Sequence, residues 1–418
     1  MRKMVLNADV QGALAEIRTA DIVVGIPSFN NARTIGHVVR AVKAGLAKYF
    51  PDRRCVIVNS DGGSTDATTD IVLNTQIHDY QTILVQHPLF PIHKISTPYD
   101  GIPGKGSAFR TIFRIAEELQ AEACAVLDAD LRSVTPEWVE LLIRPVLDGN
   151  FDYVAPFYLR HKFDGTITNS IVHPLTRALY GKRIRQPIGG DFGFSGTLAS
   201  FFLSQDVWES DVARFGIDIW MTTVAICEGF RVCQTFLGAK IHDPKDPGAD
   251  LEAMLTQVVG SLFDLMETYH FRWKTIAGSE VVPLFGFQFE TGVDSVSVNI
   301  ERMVNHFMRG LFDLSNIWAS LISPKHMRWL RTISDPGPGP FHFPDELWVG
   351  VIYDLAVSYH QRVMNREHIL QSLAPLYMGK VASFVTDNIS ATPAAVEDGI
   401  EKLCRAFEEQ KPHLIERW

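Results

Sequence analysis

Cysteine is scarce in this sequence. Cys55, Cys124, Cys227, Cys233 and Cys404 are spread over 418 residues, an odd number with no C-x-x-C pair. That argues against a disulfide framework or a zinc site and points to a reducing compartment. Cys55 and Cys124 sit inside apolar runs, where a free thiol serves as a small hydrophobe. Long apolar runs are lacking too. None reaches the roughly 18 residues of a membrane-spanning helix, and the opening MRKMVLNADVQ has no apolar stretch of the signal-peptide kind. The expectation is a cytoplasmic protein with no membrane span. Positive charge is in deficit: 39 Lys and Arg face 48 Asp and Glu, a formal charge of −9. This argues against nucleic acid as the main partner. There is no G-x-x-x-x-G-K-[ST] segment and no G-x-G-x-x-G after the first strand-like run, which counts against P-loop and dinucleotide folds.

What is present is the composition of a folded protein, 46 % hydrophobic and 21 % charged, in a chain long enough for two domains. Residues 22–27 (IVVGIP) form a short apolar run. Ile35, Val38, Val39, Val42 and Leu46 then fall on one face of a helix. Residues 55–58 (CVIV) read as the next strand, 59–63 as a loop, and 82–85 as a third strand. Phe109, Ile112, Phe113, Ala116 and Leu119 repeat the helical spacing, and 123–127 (ACAVL) read as a buried strand. Pro136 suits the first turn of a following helix. Apolar strands alternating with amphipathic helices imply a mostly parallel α/β sheet covered on both faces, with ligands outside the carboxyl ends of its strands. From about Leu251 helix-compatible stretches dominate, at 251–269, 298–319, 345–361 and 394–410, with a Pro/Gly loop from Asp335. The expected organisation is a catalytic domain over 1–255 and a mainly helical domain over 256–418. The first divides into a donor-binding half at about 20–130 and an acceptor half at about 131–255.

Asp128-Ala129-Asp130 closes a buried strand. Two carboxylates spaced i, i+2 there can reach a hard cation such as Mg²⁺ or Mn²⁺, which can bridge a diphosphate. Asp61-Gly-Gly-Ser64-Thr65-Asp66 leaves a strand and enters a helix. Ser64 or Thr65 can cap that helix and Asp66 suits its positive end, while Asp61 suits a base or ribose. Lys105 is flanked by Gly104 and Gly106, which permits close approach to a phosphate, although a solvated turn lysine is the bland alternative. Between 159 and 185 lie Arg160, Lys162, Arg177, Lys182, Arg183 and Arg185 against one acid, Asp164. This local surplus fits a small anionic acceptor, with Lys182 and Arg183 better read as a solvated face. Gly189-Gly190-Asp191, Phe215-Gly-Ile-Asp218 and Gly238-Ala-Lys-Ile-His242 each put a polar group beside glycine or an apolar run.

Together these segments resemble a GT-A glycosyltransferase. Pro27-Ser-Phe29-Asn-Asn31 is similar to that family's P-x-x-N-E opening, with Asn31 in place of the acid, and Asp61 to Asp66 to its D-x-S-x-D segment. Asp128-Ala-Asp130 matches its D-x-D. A closer resemblance is to the retaining mannosylglycerate synthase and glucosyl-3-phosphoglycerate synthase families. It runs through Pro103-Gly-Lys105-Gly, Gln186-Pro-Ile-Gly-Gly, Phe215-Gly-Ile-Asp218, Gly238-Ala-Lys-Ile-His242 and, for the former, Asp345-Glu-Leu-Trp.

The resemblance implies a fold, a reaction and a residue set. The fold is a nucleotide-sugar-binding sheet with a C-terminal helical domain. The reaction moves glucose or mannose from a GDP- or UDP-sugar to D-glycerate or 3-phosphoglycerate. Asp130 and His242 would hold Mg²⁺ or Mn²⁺. Pro27, Phe29, Asn31, Asp61, Lys105, Asp128 and Ala129 would line the donor. Arg160, Thr168, Gly189, Gly190 and Asp191 would line the acceptor, and Asp218 with Lys105 would stand at the reacting centre. Exposed faces on the helical tail allow a homodimer. Three other readings compete: an inverting GT-A transferase acting on a lipid phosphate or saccharide, a nucleotidyltransferase, and a nucleotide-sugar sensor without activity. Arg272-Trp273 lacks the glutamine of a Q-x-x-R-W motif, and the loop after residue 27 lacks the glycine-rich basic pattern of a nucleotidyltransferase.

Overall fold

The structure is a computed structural model that describes residues 6–75, 90–99, 101–242, 251–289, 298–333 and 340–418. The strand expected at 82–85 and residues 335–339 of the Pro/Gly loop lie outside them. The chain opens with α1 (Ala8–Ile17), β1 (Ile22–Ser28), α2 (Ile35–Tyr49), β2 (Cys55–Asp61), α3 (Thr68–Asn74) and β3 (Ile92–Pro98). Next come α4 (Lys105–Glu118), β4 (Ala123–Val126), α5 (Pro136–Leu147), β5 (Tyr153–Leu159), α6 (His173–Tyr180) and β6 (Lys182–Arg183). Then follow β7 (Phe192–Ser195), α7 (Gly196–Ser204), α8 (Ile217–Cys227), β8 (Val232–Ala239), α9 (Leu251–Thr268) and α10 (His270–Trp273). The last elements are β9 (Glu280–Val281), β10 (Leu284–Phe285), α11 (Ile300–Asp313), α12 (Ser315–Leu321), α13 (Pro324–Ile333), α14 (Asp345–His360), α15 (Arg366–Asn388) and α16 (Pro393–Arg417).

Contacts divide the chain into two compact units. The first is built from Met1–Leu159, Ile184–Pro244 and Val282–Val293, the second from Arg160–Arg183, Lys245–Val281 and Asp294–Trp418.

The first unit holds an eight-stranded sheet in the order β10-β8-β5-β7-β4-β1-β2-β3. β7 runs antiparallel to both neighbours, and the other pairings are parallel. The apolar runs of β1, β2 and β4 are buried residue after residue, as strands covered on both faces must be. Ile35, Val38, Val39, Val42 and Leu46 of α2 are all fully buried. Each such side chain contributes about 1.5–3 kcal/mol of transfer free energy.

β2 is longer than its apolar run. Asn59, Ser60 and Asp61, expected in a loop, continue the parallel register opposite Ile26, Pro27 and Ser28. The Asn59 amide offsets part of the cost: it donates to Ile26 O at 3.1 Å and to Ser28 Oγ at 2.7 Å, so its own buried amide is paired. α3 also begins later than expected, at Thr68. Asp66 takes the Thr68 N–H at 3.0 Å, while Ser64 turns back to Asp61.

The second unit is helical apart from the two-stranded β6–β9 sheet among the described residues. Trp318, Trp348, Tyr353, Tyr377 and Phe407 form its buried centre. The stretch expected as one helix over 298–319 is two, α11 and α12, broken at Leu314. α13 and α15 come without a sequence expectation.

Candidate active site

The carboxyl ends of β1, β2, β4 and β8 lie along one edge of the first unit's sheet. Because β7 runs the other way, its entry meets the same edge. Asp191, just before β7, accepts from the backbone N–H of Asp128 through Oδ1 at 2.8 Å. Two helix starts add side chains: Lys105 is the first residue of α4, and Asp218 lies in the first turn of α8.

These groups form a row of alternating charge. Lys105 Nζ is 3.2 Å from Asp218 Oδ1 and 2.9 Å from Asp128 Oδ1. The other Asp128 oxygen, Oδ2, takes Lys240 Nζ at 2.8 Å. Lys240 also reaches Asp191 Oδ2 and the Gly189 carbonyl, each at 2.8 Å. The Tyr158 hydroxyl donates to Asp191 Oδ2. Three carboxylates thus share two ammonium groups, and Asp191 is wholly buried.

Burial opposes charge on every member, and the neighbours decide which ones keep it. Burial pushes the Asp128 carboxyl up, but Lys105 and Lys240 outweigh it and hold the group far below the usual range. Burial likewise works against the Lys105 ammonium, and Asp128 with Asp218 reverses that, so Lys105 stays charged. An ammonium at a helix start opposes the helix dipole and requires such partners. Burial dominates at Asp218 and at Asp191, and both are raised, each also by the Asp128 charge.

The paired glycines are explained by this row. A Cβ on Gly190, at φ +91°, would stand 2.2 Å from Asp128 Oδ2. One on Gly189 would overlap Pro156 Cγ at 2.1 Å. Close approach here is to the protein's own groups.

Other expected site residues take distinct places. Leu131, next to Asp130, forms a single antiparallel bridge with His242, reinforced by Arg132 N–H donating to Ile241 O at 2.9 Å. Thr34 Oγ1 donates to the Ala129 carbonyl at 2.7 Å, fixing the D-x-D loop on the start of α2. Phe29 is exposed beyond β1, and Asn31 Oδ1 accepts from its N–H at 2.8 Å. Pro27 is half-buried within β1. The Asp61 carboxylate is occupied by its own turn: Ser28 Oγ, Gly63 N–H, Ser64 N–H and Ser64 Oγ donate to it at 2.6–2.9 Å.

Arg160 and Thr168 belong to the second unit. Thr168 opens a five-residue π-helical turn, Thr168–Val172, that leads into α6. Arg160 Nη1 pairs with Asp164 Oδ2 at 3.4 Å, and Gly165, at φ +66°, lies against both Arg160 and Thr168.

Sequence reasoning passed over Lys240 and Tyr158. Lys240 carried a signal: it is a charge set between Ala239 and Ile241 at a strand exit, two residues before His242. Among the described residues no group of three or more His, Cys, Asp or Glu could hold a metal ion. No described helix is long and apolar enough to cross a membrane.

The chain is similar to several known proteins. Residues 23–208 match the model of glycosyl transferase family 2. A glucosyl-3-phosphoglycerate synthase of Petrotoga mobilis is 24 % identical over 277 residues, which cover 61 % of this chain and 76 % of that protein. Among solved structures, glucosyl-3-phosphoglycerate synthase from Mycobacterium tuberculosis with Mn²⁺, UDP and glucosyl-3-phosphoglycerate is 22 % identical. It covers 63 % of this chain and 85 % of its own, with a TM-score of 0.44. The same enzyme with Mn²⁺, UDP-glucose and phosphoglyceric acid is 22 % identical over 64 % of this chain and 86 % of its own, with a TM-score of 0.43. The match to glycosyl transferase family 2 over residues 23–208 and the mostly parallel sheet flanked by helices indicate a glycosyltransferase with a GT-A-like fold.

Proposed function

We propose that the protein is a metal-dependent retaining hexosyltransferase. It moves glucose or mannose from a GDP- or UDP-sugar to the hydroxyl of D-glycerate or 3-phosphoglycerate. The observation that carries this reading is the charge row Asp218–Lys105–Asp128–Lys240–Asp191 at the strand ends. Its two ammonium groups suit a leaving diphosphate that gains charge, and its carboxylates suit a sugar carbon that becomes cationic. The Petrotoga mobilis relative, named for transfer to phosphoglycerate, supports the acceptor class.

Asp130 and His242 would hold a divalent ion, a carboxylate and an imidazole both being donors such an ion takes. Mg²⁺ and Mn²⁺ sites of that kind take one or two protein ligands, in keeping with the absence of a larger cluster among the described residues. When bound, such an ion withdraws charge from the departing phosphate. Lys105 holds the leaving diphosphate, and its ammonium is kept charged by Asp128 and Asp218. Asp128, already paired on both oxygens, orients the two lysines and faces donor hydroxyls. Asp218 positions sugar and acceptor on the face the leaving group vacates. Phe29 and Asn31 line the donor base, with Asp61 shaping their loop. Arg160 and Thr168 hold the acceptor carboxylate.

The test is release of nucleoside diphosphate in the presence of Mg²⁺ or Mn²⁺, from GDP- and UDP-sugars, with glycerate or 3-phosphoglycerate. Activity that vanishes with chelator and falls by about 100-fold or more in Asp130→Ala and in His242→Ala is expected. Full activity in both variants would refute the metal assignment.

A further inference from the structure

The glycines beside Lys105 read in the sequence as room for a phosphate. In the structure they meet the protein's own backbone. α4 opens against a 3₁₀ turn, Asp211–Ala213, which packs on both α4 and α8. The Gly106 N–H donates to Arg214 O at 3.2 Å. A Cβ on Gly106 would stand 1.9 Å from Val212 O and 2.8 Å from Ala213 Cα. One on Gly104 would stand 2.5 Å from Ala213 O and 2.8 Å from Arg214 Cα. These are all backbone atoms, so a change of rotamer makes no room for either.

The turn is continuous with α8. Val212 N–H donates to Ser210 Oγ at 3.2 Å, and Ala213 N–H to Ser210 O at 3.0 Å. Asp211 O accepts from Arg214 N–H at 2.9 Å and from Gly216 N–H at 3.1 Å. Gly216 O accepts in its turn from Trp220 N–H at 3.1 Å, within the first turn of α8 that carries Asp218. Displacing the 3₁₀ turn therefore displaces Asp218. Lys105 is held separately, on a helix whose Phe109, Ile112 and Phe113 are fully buried. The two side chains meet with Lys105 Nζ 3.2 Å from Asp218 Oδ1 and 3.3 Å from Oδ2.

We infer that Gly106, seconded by Gly104, is a positioning residue for the transfer. Its missing side chain sets how deeply the 211–216 segment seats on α4, and so where Asp218 stands against Lys105. This rests on the roles proposed above for Lys105 and Asp218. Gly106→Ala drives the turn back by about 1.5 Å before Val212 O regains an ordinary 3.4 Å contact. Misplacement of a reacting group on the order of 1 Å costs about 100-fold in rate. Lys105 keeps its place on α4, so donor binding changes little and the loss falls on kcat. Asp218→Glu extends the carboxylate by one C–C bond, about 1.5 Å, and so spans the gap that the displaced turn leaves.

The experiment measures kcat and donor KM for nucleoside diphosphate release from GDP- and UDP-hexoses, with Mn²⁺ and glycerate or 3-phosphoglycerate. Gly106→Ala should lower kcat by about 100-fold and leave donor KM within about threefold. Gly104→Ala presses less deeply and should act in the same sense to a smaller degree, which keeps the test open if Gly106→Ala does not fold. In either background Asp218→Glu should restore kcat by about tenfold or more, although alone it lowers kcat. Gly196→Ala is the control for crowding, since its Cβ would stand 1.7 Å from Ala121 O, beyond the far end of α4. It should lower the melting temperature and spare kcat per folded molecule. Undiminished kcat in both Gly106→Ala and Gly104→Ala, no recovery with Asp218→Glu, or an equal loss of kcat in Gly196→Ala would each overturn the inference while leaving the transferase reading intact. Full activity in Lys105→Ala and Asp218→Asn would overturn the roles it rests on, and the inference with them.

Discussion

Lys240 is central to the charge row, and it is the member the sequence hid best. Its two carboxylate partners lie 112 and 49 residues away. Nothing in the local pattern around Ala239 and Ile241 tells where β8 stands in the sheet. Asp128, Lys105 and Asp218 were legible because each sits at a recognisable junction, a strand exit or a helix start. The structure also changes what Asp61 does: its carboxylate serves the turn that carries Ser64. Gly190 is the sharpest point of the site. A methyl there would press on Asp128 Oδ2 at 2.2 Å and on Lys240 Nζ at 3.0 Å. Gly190→Ala should lower kcat/KM by about 100-fold through misplacement of these groups. Circular dichroism should still report a folded chain, and undiminished activity would show that the row tolerates displacement.

Among the described elements, three helices end on a lysine brought from elsewhere in the chain. Lys94 donates to Val72 O, Leu73 O and Thr75 O at the end of α3. Lys162 does the same for α15, and Lys411 for α6 through Ala178 O at 2.8 Å, with Ile276 O at 2.7 Å. Each ammonium satisfies carbonyls that a helix end leaves unpaired and complements its negative pole. α15 escaped the sequence reading for a related reason. It is buried on most sides, with Leu370, Leu373, Leu376, Tyr377 and Val381 among its buried residues, and it contains Pro375. Such a helix shows no single apolar stripe. α6 and α16 are joined more firmly than by packing alone, through Arg177 with Glu401 and Glu408. Arg177→Met should destabilise the protein by about 2 kcal/mol, below the usual cost of breaking a buried pair because both glutamates can rehydrate. The urea midpoint measures this, and an unchanged midpoint would show the pairs to be neutral.

For the whole molecule, the −9 net charge matters less than which acids are held ionised. Arg177 keeps Glu401 at about 2. Burial pushes Glu137 up, but its own backbone, Lys48, Thr135 and Tyr49 bring it to about 2 as well. Asp354, buried against His326, Ser323 and Arg417, is lowered despite its burial, and so is Asp128. A depressed carboxyl contributes stability above its unfolded value that is lost as pH falls through its folded one. Asp191 and Asp218 are raised and act in the opposite sense, their cost being relieved on acidification. With Asp21, Asp66, Glu267 and Glu280 also lowered, eight lowered carboxyls stand against two raised ones among the described residues and give a stability that declines as pH falls below about 4.5, with Glu401→Gln flattening the decline. Urea midpoints taken between pH 5 and pH 2 test this, and midpoints that rise on acidification would contradict it.

The reversed direction of β7 has a consequence for the order in which the chain assembles. Asp128 and Asp191 are brought side by side as soon as β4 and β7 pair. The lysine that joins them arrives only with β8, and the carboxylate that completes the row at Lys105 lies 113 residues beyond that lysine. Asp191 precedes Lys240 by 49 residues, so β4 and β7 can pair before β8 joins the sheet. Until then Lys105 alone can offset the acidic pair. The site is thus among the last parts of the sheet to reach its native balance, because its lysine–carboxylate contacts other than Lys105–Asp128 span 49 to 113 residues and carry a matching closure cost.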